Sequence, residues 1–139
     1  MQVPEFKVTL LGPPNTGKTL FVERLFKNTN NIINSGYKPT LGVEVTPIDL
    51  HGELGKLRLN IWDNAGDENY RGLKEEYHRD TKAAIIFKKS GDESYLEYEN
   101  ELPIGTMCEY ITDYNLDNPD MSVEEYKQFL YNFIINIFL

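Results

Sequence analysis

The stretch GPPNTGKT at residues 12–19 constrains this sequence most, because it fits the pattern G-x-x-x-x-G-K-[ST] at every fixed position. An apolar run precedes it over residues 5–11, and apolar residues at helical spacing follow over residues 18–28. A loop with little side-chain bulk between a strand and a helix lets backbone N–H groups converge on phosphate oxygens at the positive end of the helix dipole. The stretch therefore predicts a strand, a phosphate-binding loop and a helix.

Individual residues of the loop carry the predicted chemistry. The candidate nucleotide-binding residues here are Asn15, Thr16, Gly17, Lys18 and Thr19. Lys18 is expected to reach the β- and γ-phosphates, and the Thr19 hydroxyl is expected to ligate Mg²⁺. Pro13 and Pro14 have no N–H, so the phosphate-binding amides are expected in the second half of the loop.

Composition narrows the class of protein. A chain of 139 residues with 40% hydrophobic and 26% charged residues is typical of one soluble domain, here residues 1–139. The N-terminal segment is polar, unlike a signal peptide, and no apolar run reaches the ~18 residues of a membrane span. The one cysteine, Cys108, excludes an internal disulfide and suits a reducing compartment. We expect a monomer in the cytoplasm, the nucleus or both.

Charge is spread unevenly along the chain. Residues 90–139 contain eleven acidic residues and one lysine, and residues 1–89 contain eleven acidic and thirteen basic residues. The strongly acidic second half argues against nucleic acid or an anionic membrane as the main partner. We interpret this acidic segment as a solvated surface.

A hairpin is predicted after the first helix. Residues 41–50 and 56–62 alternate apolar and polar side chains and are separated by HGELG, which is typical of two antiparallel strands. Pro47 lies in the first arm and indicates an edge strand, because proline cannot donate to a ladder. Residues 28–39 are rich in Asn and predict a loop, and its length indicates a functional role.

The second half of the chain contains one strong helix signal. Residues 83–87 predict a buried strand, and weaker patterns predict short helices at residues 73–80 and 91–101 and a strand at residues 102–108. From Ser122, which forms a capping-box pattern with Glu125, a helical apolar stripe follows. The stripe consists of Val123, Tyr126, Leu130, Phe133 and Ile137. It predicts a helix docked on the sheet; the alternative is an exposed tail that binds a membrane or a partner.

The segment WDNAG at residues 62–66 follows the hairpin. An Asp that ends a strand near a phosphate loop is placed to hold the Mg²⁺ shell, and Gly66 can offer its N–H to the γ-phosphate. The order GxxxxGKT, YKPT at residues 37–40 and WDNAG resembles the small GTPases of the Ras superfamily. TLGVEVTP at residues 40–47 and NIWD at residues 60–63 look like the Ran branch in particular.

This resemblance implies further site residues. Tyr37 would fold over the phosphates, and Gly66 would sense the γ-phosphate. Thr40 would ligate Mg²⁺ in the triphosphate state, and Asp63 would hold the same ion through water. The resemblance thus implies Mg²⁺ as cofactor, GTP or GDP as ligand, and Thr19 as the remaining metal ligand. The chain has no C-terminal lipidation cysteine, so no lipid anchor is expected, as in Ran.

The sequence departs from the family at the catalytic and base-binding positions. Asp67 stands where the family has the Gln that orients the attacking water, and Ile33 stands where an aromatic residue would stack on guanine. The base-reading motif N-K-x-D is absent, and Asp113 is the nearest counterpart by position. The phosphate end of the site is therefore kept, and the base end is largely lost.

The resemblance implies an α/β fold of the P-loop NTPase type. We expect a mostly parallel sheet with helices on both faces, truncated after the fourth strand, in which the helix of residues 122–139 fills the space left by missing elements. Three functions remain open. The first is a Ran-like guanine-nucleotide switch whose GTP hydrolysis is slow or absent. The second is a non-catalytic Ran mimic that binds nuclear-transport receptors or Ran regulators. The third is a nucleotidase with relaxed base choice.

Overall fold

The computed structural model of the protein describes residues 3–13, 16–27, 44–63, 78–114 and 122–138. Within them, the elements in chain order are β1 (Glu5–Leu11), α1 (Lys18–Lys27), β2 (Glu44–Gly52), β3 (Gly55–Asp63), β4 (Ala83–Lys88), α2 (Tyr95–Asn100), β5 (Met107–Thr112) and α3 (Val123–Phe138). The predictions of a strand and a helix around the phosphate loop, and of the strand at residues 83–87, are confirmed to within one residue at each end.

The strands form one sheet in the order β2-β3-β1-β4-β5. Strand β1 is parallel to both of its neighbours, β3 and β4, and β5 is parallel to β4. Only β2 runs the other way, because it forms a hairpin with β3. The carboxyl ends of four parallel strands therefore meet at one edge of the sheet, which is where such folds bind their ligands. The predicted α/β fold with a mostly parallel sheet is confirmed.

Helices cover both faces of the sheet, as predicted. Helices α1 and α3 pack on one face, and the short helix α2 packs on the other, against β4 and β1. Alternation along β1 divides its side chains, since Val8 and Leu10 face α1 and α3 whereas Leu11 joins the cluster beneath α2. Thr9 is fully buried, and its hydroxyl forms a hydrogen bond of 3.1 Å with that of Thr81, so the interior polar group is satisfied.

The hairpin lies at the edge of the sheet, as Pro47 predicts. Among the strands that the structure describes, β2 is at the edge of the sheet and pairs with β3, with Pro47 opposite Asn60. On the solvent side, the Arg58 guanidinium donates to the Asp49 carboxylate at 2.7 Å. This hydrogen bond and the charges of Arg58 and Lys56 lower the pKa of Asp49.

The sheet continues for one strand beyond the fourth. The predicted strand at residues 102–108 begins later, at Met107, because residues 103–106 form a turn instead. In that turn, the N–H and the hydroxyl of Thr106 both donate to the Pro103 carbonyl, at 3.2 and 2.8 Å. The predicted short helix near residues 91–101 is confirmed as α2. The predicted loop at residues 28–39 and most of the predicted helix at residues 73–80 lie outside the described residues.

Helix α3 begins with the predicted capping box. The Ser122 Oγ accepts from the Glu125 N–H, and a Glu125 carboxylate oxygen accepts from the Ser122 N–H, each at 3.1 Å. The side chains of Tyr126, Leu130 and Phe133 are buried against the sheet and α1. None of the helices in the described residues is long and apolar enough to cross a membrane. The prediction that this helix docks on the sheet is confirmed.

Tyr131 joins α3 to the turn of the hairpin. Its hydroxyl donates to the Gly55 carbonyl at 2.8 Å and accepts from the Leu54 N–H at 3.0 Å. Its ring fills the space beside Gly52, where a Cβ atom would overlap the ring. The glycine and the tyrosine thus fit each other, and the far end of the hairpin is fixed to the helix.

We expect Tyr131→Phe to lower the free energy of unfolding by about 1–2 kcal/mol, since the Gly55 carbonyl and the Leu54 N–H both lose their partner. Urea unfolding measures the change. Tyr110→Phe is the matched control, because it removes a hydroxyl that donates to Glu99 at the exposed surface. That control is expected to cost less than about 0.5 kcal/mol. Equal losses in the two variants would contradict the role of Tyr131.

Candidate nucleotide site

The candidate site begins where the chain leaves β1. Gly12 follows the strand with a φ of 140°, and a Cβ atom there would overlap the carbonyl oxygen of Phe87 in β4. Glycine permits both the left-handed backbone and the close approach to β4. This is the first of the two glycines fixed by the sequence pattern, and its role is to turn the loop across the end of the neighbouring strand.

Gly17 closes the loop and starts the helix. Its φ is 93°, and its carbonyl accepts a hydrogen bond of 2.9 Å from the Phe21 N–H in the first turn of α1. A Cβ atom at this position would lie 2.9 Å from the ring of Tyr114. Both backbone angle and space therefore select glycine.

Lys18 is folded back over the loop. Its ammonium group donates to the carbonyl oxygens of Gly12 at 2.7 Å and Pro13 at 2.9 Å, and the residue is only 5% exposed. The Thr16 hydroxyl also donates to the Pro13 carbonyl, at 2.8 Å. Pro13 contributes no N–H, but its carbonyl accepts two hydrogen bonds that hold the loop together. These hydrogen bonds hold the positive charge of Lys18 against the backbone carbonyls of the loop.

Thr19 and Asp63 meet at the carboxyl edge of the sheet. Thr19 lies in the first turn of α1, and its hydroxyl donates to Oδ2 of Asp63 at 2.9 Å. Asp63 is the last residue of β3 and is 2% exposed. The structure thus brings together two residues that the sequence predicts for one metal shell, although they come from distant parts of the chain.

These two residues fit Mg²⁺ by their chemistry. A hydroxyl and a carboxylate supply hard oxygen ligands, and Mg²⁺ in phosphate-binding sites is held by one or two such groups together with phosphate oxygens and water. In the part of the chain that the structure describes, no group of three or more His, Cys, Asp or Glu side chains forms a separate metal site. One hydroxyl and one carboxylate therefore fit an Mg²⁺ ion whose remaining ligands are phosphate oxygens and water.

Five of the predicted site residues fall in other parts of the chain. Asn15, Tyr37, Thr40, Gly66 and Asp67 lie outside the described residues. Their roles as nucleotide-binding, metal-binding or catalytic groups remain predictions. Of the predicted site residues, the structure describes Thr16, Gly17, Lys18, Thr19, Asp63 and Asp113.

Asp113 directly follows β5, and β4 separates β5 from β1, the strand that leads into the phosphate loop. Its two carboxylate oxygens accept hydrogen bonds from the hydroxyl and the N–H of Ser90, which follows β4. These hydrogen bonds lower the pKa of Asp113, with the hydroxyl contributing most. Recognition of guanine by Asp113 stays a prediction, and the structure adds Ser90 as the group that its carboxylate contacts.

Sequence reasoning missed two residues at this edge. Ser90 gives little sequence signal, because a Ser-Gly pair after a strand reads as an ordinary turn. Tyr114 lies in a turn-rich stretch without periodicity, yet its ring packs against Gly17. The pattern of the phosphate loop requires glycine at that position, but nothing in the sequence indicates which side chain lies against it.

The family comparison agrees with this geometry. The family model described as Roc, the Ras of Complex domain of DAPkinase, matches residues 7–104. The match covers more than half of the chain, from β1 through α2. The chain belongs to the Roc family.

As a Roc domain, the chain belongs to the Ras-like GTPases, which confirms the predicted superfamily. Ras-like GTPases generally bind GTP or GDP with Mg²⁺. The narrower resemblance to the Ran branch stays a prediction. The match stops before β5 and α3, so it does not include Asp113, Tyr114 or the helix that covers the sheet.

Proposed function

We propose that this Roc domain is a molecular switch that binds GTP or GDP with Mg²⁺ and hydrolyses GTP slowly or not at all. One observation carries the proposal: the Thr19 hydroxyl and the Asp63 carboxylate lie 2.9 Å apart, and the adjacent residue Lys18 is buried with its ammonium group on the carbonyls of the loop. A positive charge and two hard oxygen ligands at a helix N-terminus match a magnesium-bound polyphosphate.

The described residues have distinct roles in this proposal. Lys18 would contact the terminal phosphates from a position fixed by the Gly12 and Pro13 carbonyls. Thr19 would ligate Mg²⁺ directly, and Asp63 would orient the water molecules around the ion. When bound, Mg²⁺ neutralises charge on the phosphate oxygens.

The proposed switch uses the two segments that flank the hairpin. Strand β2 begins at Glu44 and β3 ends at Asp63, so residues 28–43 and 64–77 join the hairpin at the edge of the sheet that holds the site. Thr40 and Gly66 lie in these segments, and each would gain a contact only in the triphosphate state. A ligand shifts a conformational equilibrium by such differential contacts.

The test is to identify and measure the bound nucleotide. Protein purified without added nucleotide is denatured, and the released small molecules are identified by mass spectrometry. Calorimetry with GTP, GDP and ATP then measures affinity with Mg²⁺ and with EDTA. We expect a guanine nucleotide in the first measurement and tighter binding with Mg²⁺ in the second. Protein that contains no nucleotide and binds none would contradict the proposal.

A non-catalytic mimic of a Ran-like protein is the second candidate. The contact between Asp113 and Ser90 favours it, because both carboxylate oxygens that would read guanine accept hydrogen bonds within the protein. Such a protein would bind nuclear-transport receptors or Ran regulators through the surfaces of residues 40–45 and 66–73. An empty protein that still binds such a receptor in a pull-down with purified components would support the mimic.

Asp67 provides the prediction on hydrolysis. An ionised carboxylate only accepts hydrogen bonds and adds negative charge near the γ-phosphate, whereas Gln both donates and accepts. We expect Asp67→Gln to hydrolyse GTP about tenfold faster than the natural protein or more, a change of about 1.4 kcal/mol in the barrier. Single-turnover release of phosphate measures this rate. Asp67→Asn is the control for charge alone, and a natural protein faster than both variants would assign Asp67 a catalytic role.

A further inference from the structure

Tyr114 lies directly against the phosphate loop. Its ring carbon Cδ2 is 2.9 Å from the position of a Cβ atom on Gly17, and its own Cβ and carbonyl oxygen are each 3.5 Å from that position. Both the side chain and the backbone of Tyr114 therefore border Gly17. Gly17 immediately precedes Lys18, so Tyr114 contacts the loop next to the residues that would hold phosphate and Mg²⁺.

The ring of Tyr114 is itself held by neighbours. It packs edge to face on Phe21 of α1, with ring centroids 5.4 Å apart and an angle of 87°. The ring centroids of Phe87 in β4 and Tyr126 in α3 also lie near that of Tyr114, at 6.1 and 5.8 Å. Arg24 donates to the phenol oxygen at 3.2 Å. Such edge-to-face pairs restrict ring orientation, so the surface presented to Gly17 is well defined.

The backbone conformation of Asp113 determines the position of Tyr114. Asp113 has a φ of 53°, in the left-handed region that redirects a chain at the end of a strand. Its N–H donates to the Lys88 carbonyl at 2.9 Å, and its carboxylate accepts from the backbone and the hydroxyl of Ser90. The chain leaving β5 is thus fixed to the end of β4.

We propose that Asp113 and Tyr114 form a brace that positions the phosphate loop, with Asp113 fixing the turn and Tyr114 supporting Gly17. The proposal rests on the proposed function, since it assigns these residues to the nucleotide site. In it, Asp113 contributes to binding through the loop, by holding Tyr114, and not through the base. Tyr114 is a positioning residue and has no contact with nucleotide in this proposal.

This assignment makes a distinct prediction about base choice. A brace acts on the phosphate side, so its loss weakens GTP and ATP binding by the same factor. A residue that reads guanine acts on GTP alone. The ratio of the GTP and ATP affinities therefore distinguishes a brace from a residue that reads the base. A variant of a second aromatic residue in the same cluster shows whether the loss of binding reflects a general loss of stability.

The experiment compares Tyr114→Ala with Tyr126→Ala. Tyr126 packs on Phe21 and Tyr114, as Tyr114 packs on Phe21, so both variants remove an aromatic ring from one cluster. Calorimetry with GTP and ATP in the presence of Mg²⁺ is performed on the folded proteins. We expect Tyr114→Ala and Asp113→Ala to weaken binding of both nucleotides about tenfold or more with an unchanged ratio. Tyr126→Ala leaves Phe21, Phe87 and Arg24 in contact with the Tyr114 ring, so we expect it to weaken binding by less than about threefold.

Tyr114→Phe keeps the ring against Gly17 and is expected to bind nucleotide like the natural protein. Equal affinities for Tyr114→Ala and the natural protein, or equal losses in the Tyr114 and Tyr126 variants, would overturn the brace. A loss for GTP but not for ATP in Asp113→Ala would assign that residue to the base. Tyr114→Leu and Tyr126→Leu repeat the comparison if the alanine variants do not fold.

Hydrogen exchange tests the brace without nucleotide. Tyr114→Ala should increase exchange of the amides of residues 17–21 more than Tyr126→Ala does, because only Tyr114 supports Gly17. If the natural protein binds no nucleotide, the proposed function fails, and this comparison still decides the brace. Equal exchange in the two variants would overturn it.

Discussion

Lys18→Ala is expected to weaken binding of magnesium-bound GTP by about a hundredfold to a thousandfold, or about 3–4 kcal/mol. The physical reason is the loss of a buried ammonium group, since hydrogen bonds from a charged donor to phosphate are among the strongest in proteins. Calorimetry on the natural protein and the variant measures the change.

The control for charge is Lys56→Ala. Lys56 lies at the start of β3, at the other end of the strand from Asp63, and its ammonium group is 3.4 Å from Asp49. This variant removes the same charge far from the site and should bind GTP normally. Lys18→Met keeps an aliphatic side chain at this position, so it separates the loss of the charge from the loss of packing. Unchanged affinity in both Lys18 variants would contradict the proposed site.

Phe133→Ala is expected to lower the free energy of unfolding by about 3–5 kcal/mol. Phe133 is 8% exposed and lies in the core between α3 and the sheet, with its ring stacked on that of Phe129 at 6.3 Å. A domain of this kind has a total stability of about 5–15 kcal/mol, so the variant is close to unfolding at ordinary temperature.

Urea unfolding of Phe133→Ala and of Asn132→Ala provides the comparison. Asn132 is the preceding residue of the same helix and is exposed, so its replacement should change stability by less than about 0.5 kcal/mol. Phe133→Leu replaces the ring with a smaller apolar side chain and is measured if the alanine variant does not fold. A loss below about 1 kcal/mol for alanine would show that α3 contributes little to the core.

The features that the sequence predicts correctly are local ones. The strand and the helix around the phosphate loop, the edge position of Pro47 and the capping box of Ser122 and Glu125 each leave a signal in residues a few positions apart, so a short pattern is enough to identify them. The start of β5 is different, because Pro103 and Thr106 form a turn within an otherwise apolar stretch. There the turn determines where the strand begins.

The features that the sequence does not predict depend on contacts between distant residues. Tyr114 and Gly17 meet only because β5 ends beside the phosphate loop, and Ser90 reaches Asp113 because β4 and β5 are paired. The pattern identifies Gly17 but not the side chain beside it. Likewise, Thr19 and Asp63 are predicted separately through their motifs, and only the fold shows that their oxygen atoms lie within hydrogen-bond distance.

The attachment of α3 to the hairpin has a consequence for where this chain can be cut. The Roc match ends at Ile104, before β5 and α3, whereas Tyr131 supplies partners for Gly55 and Leu54 inside the matched region. A fragment that ended at Ile104 would expose the apolar face of the sheet that α3 covers, and it would lose the ring that fills the space beside Gly52. We therefore expect a fragment limited to the matched region to be less stable than the whole chain, because it lacks the contacts that β5 and α3 make with the sheet and the hairpin.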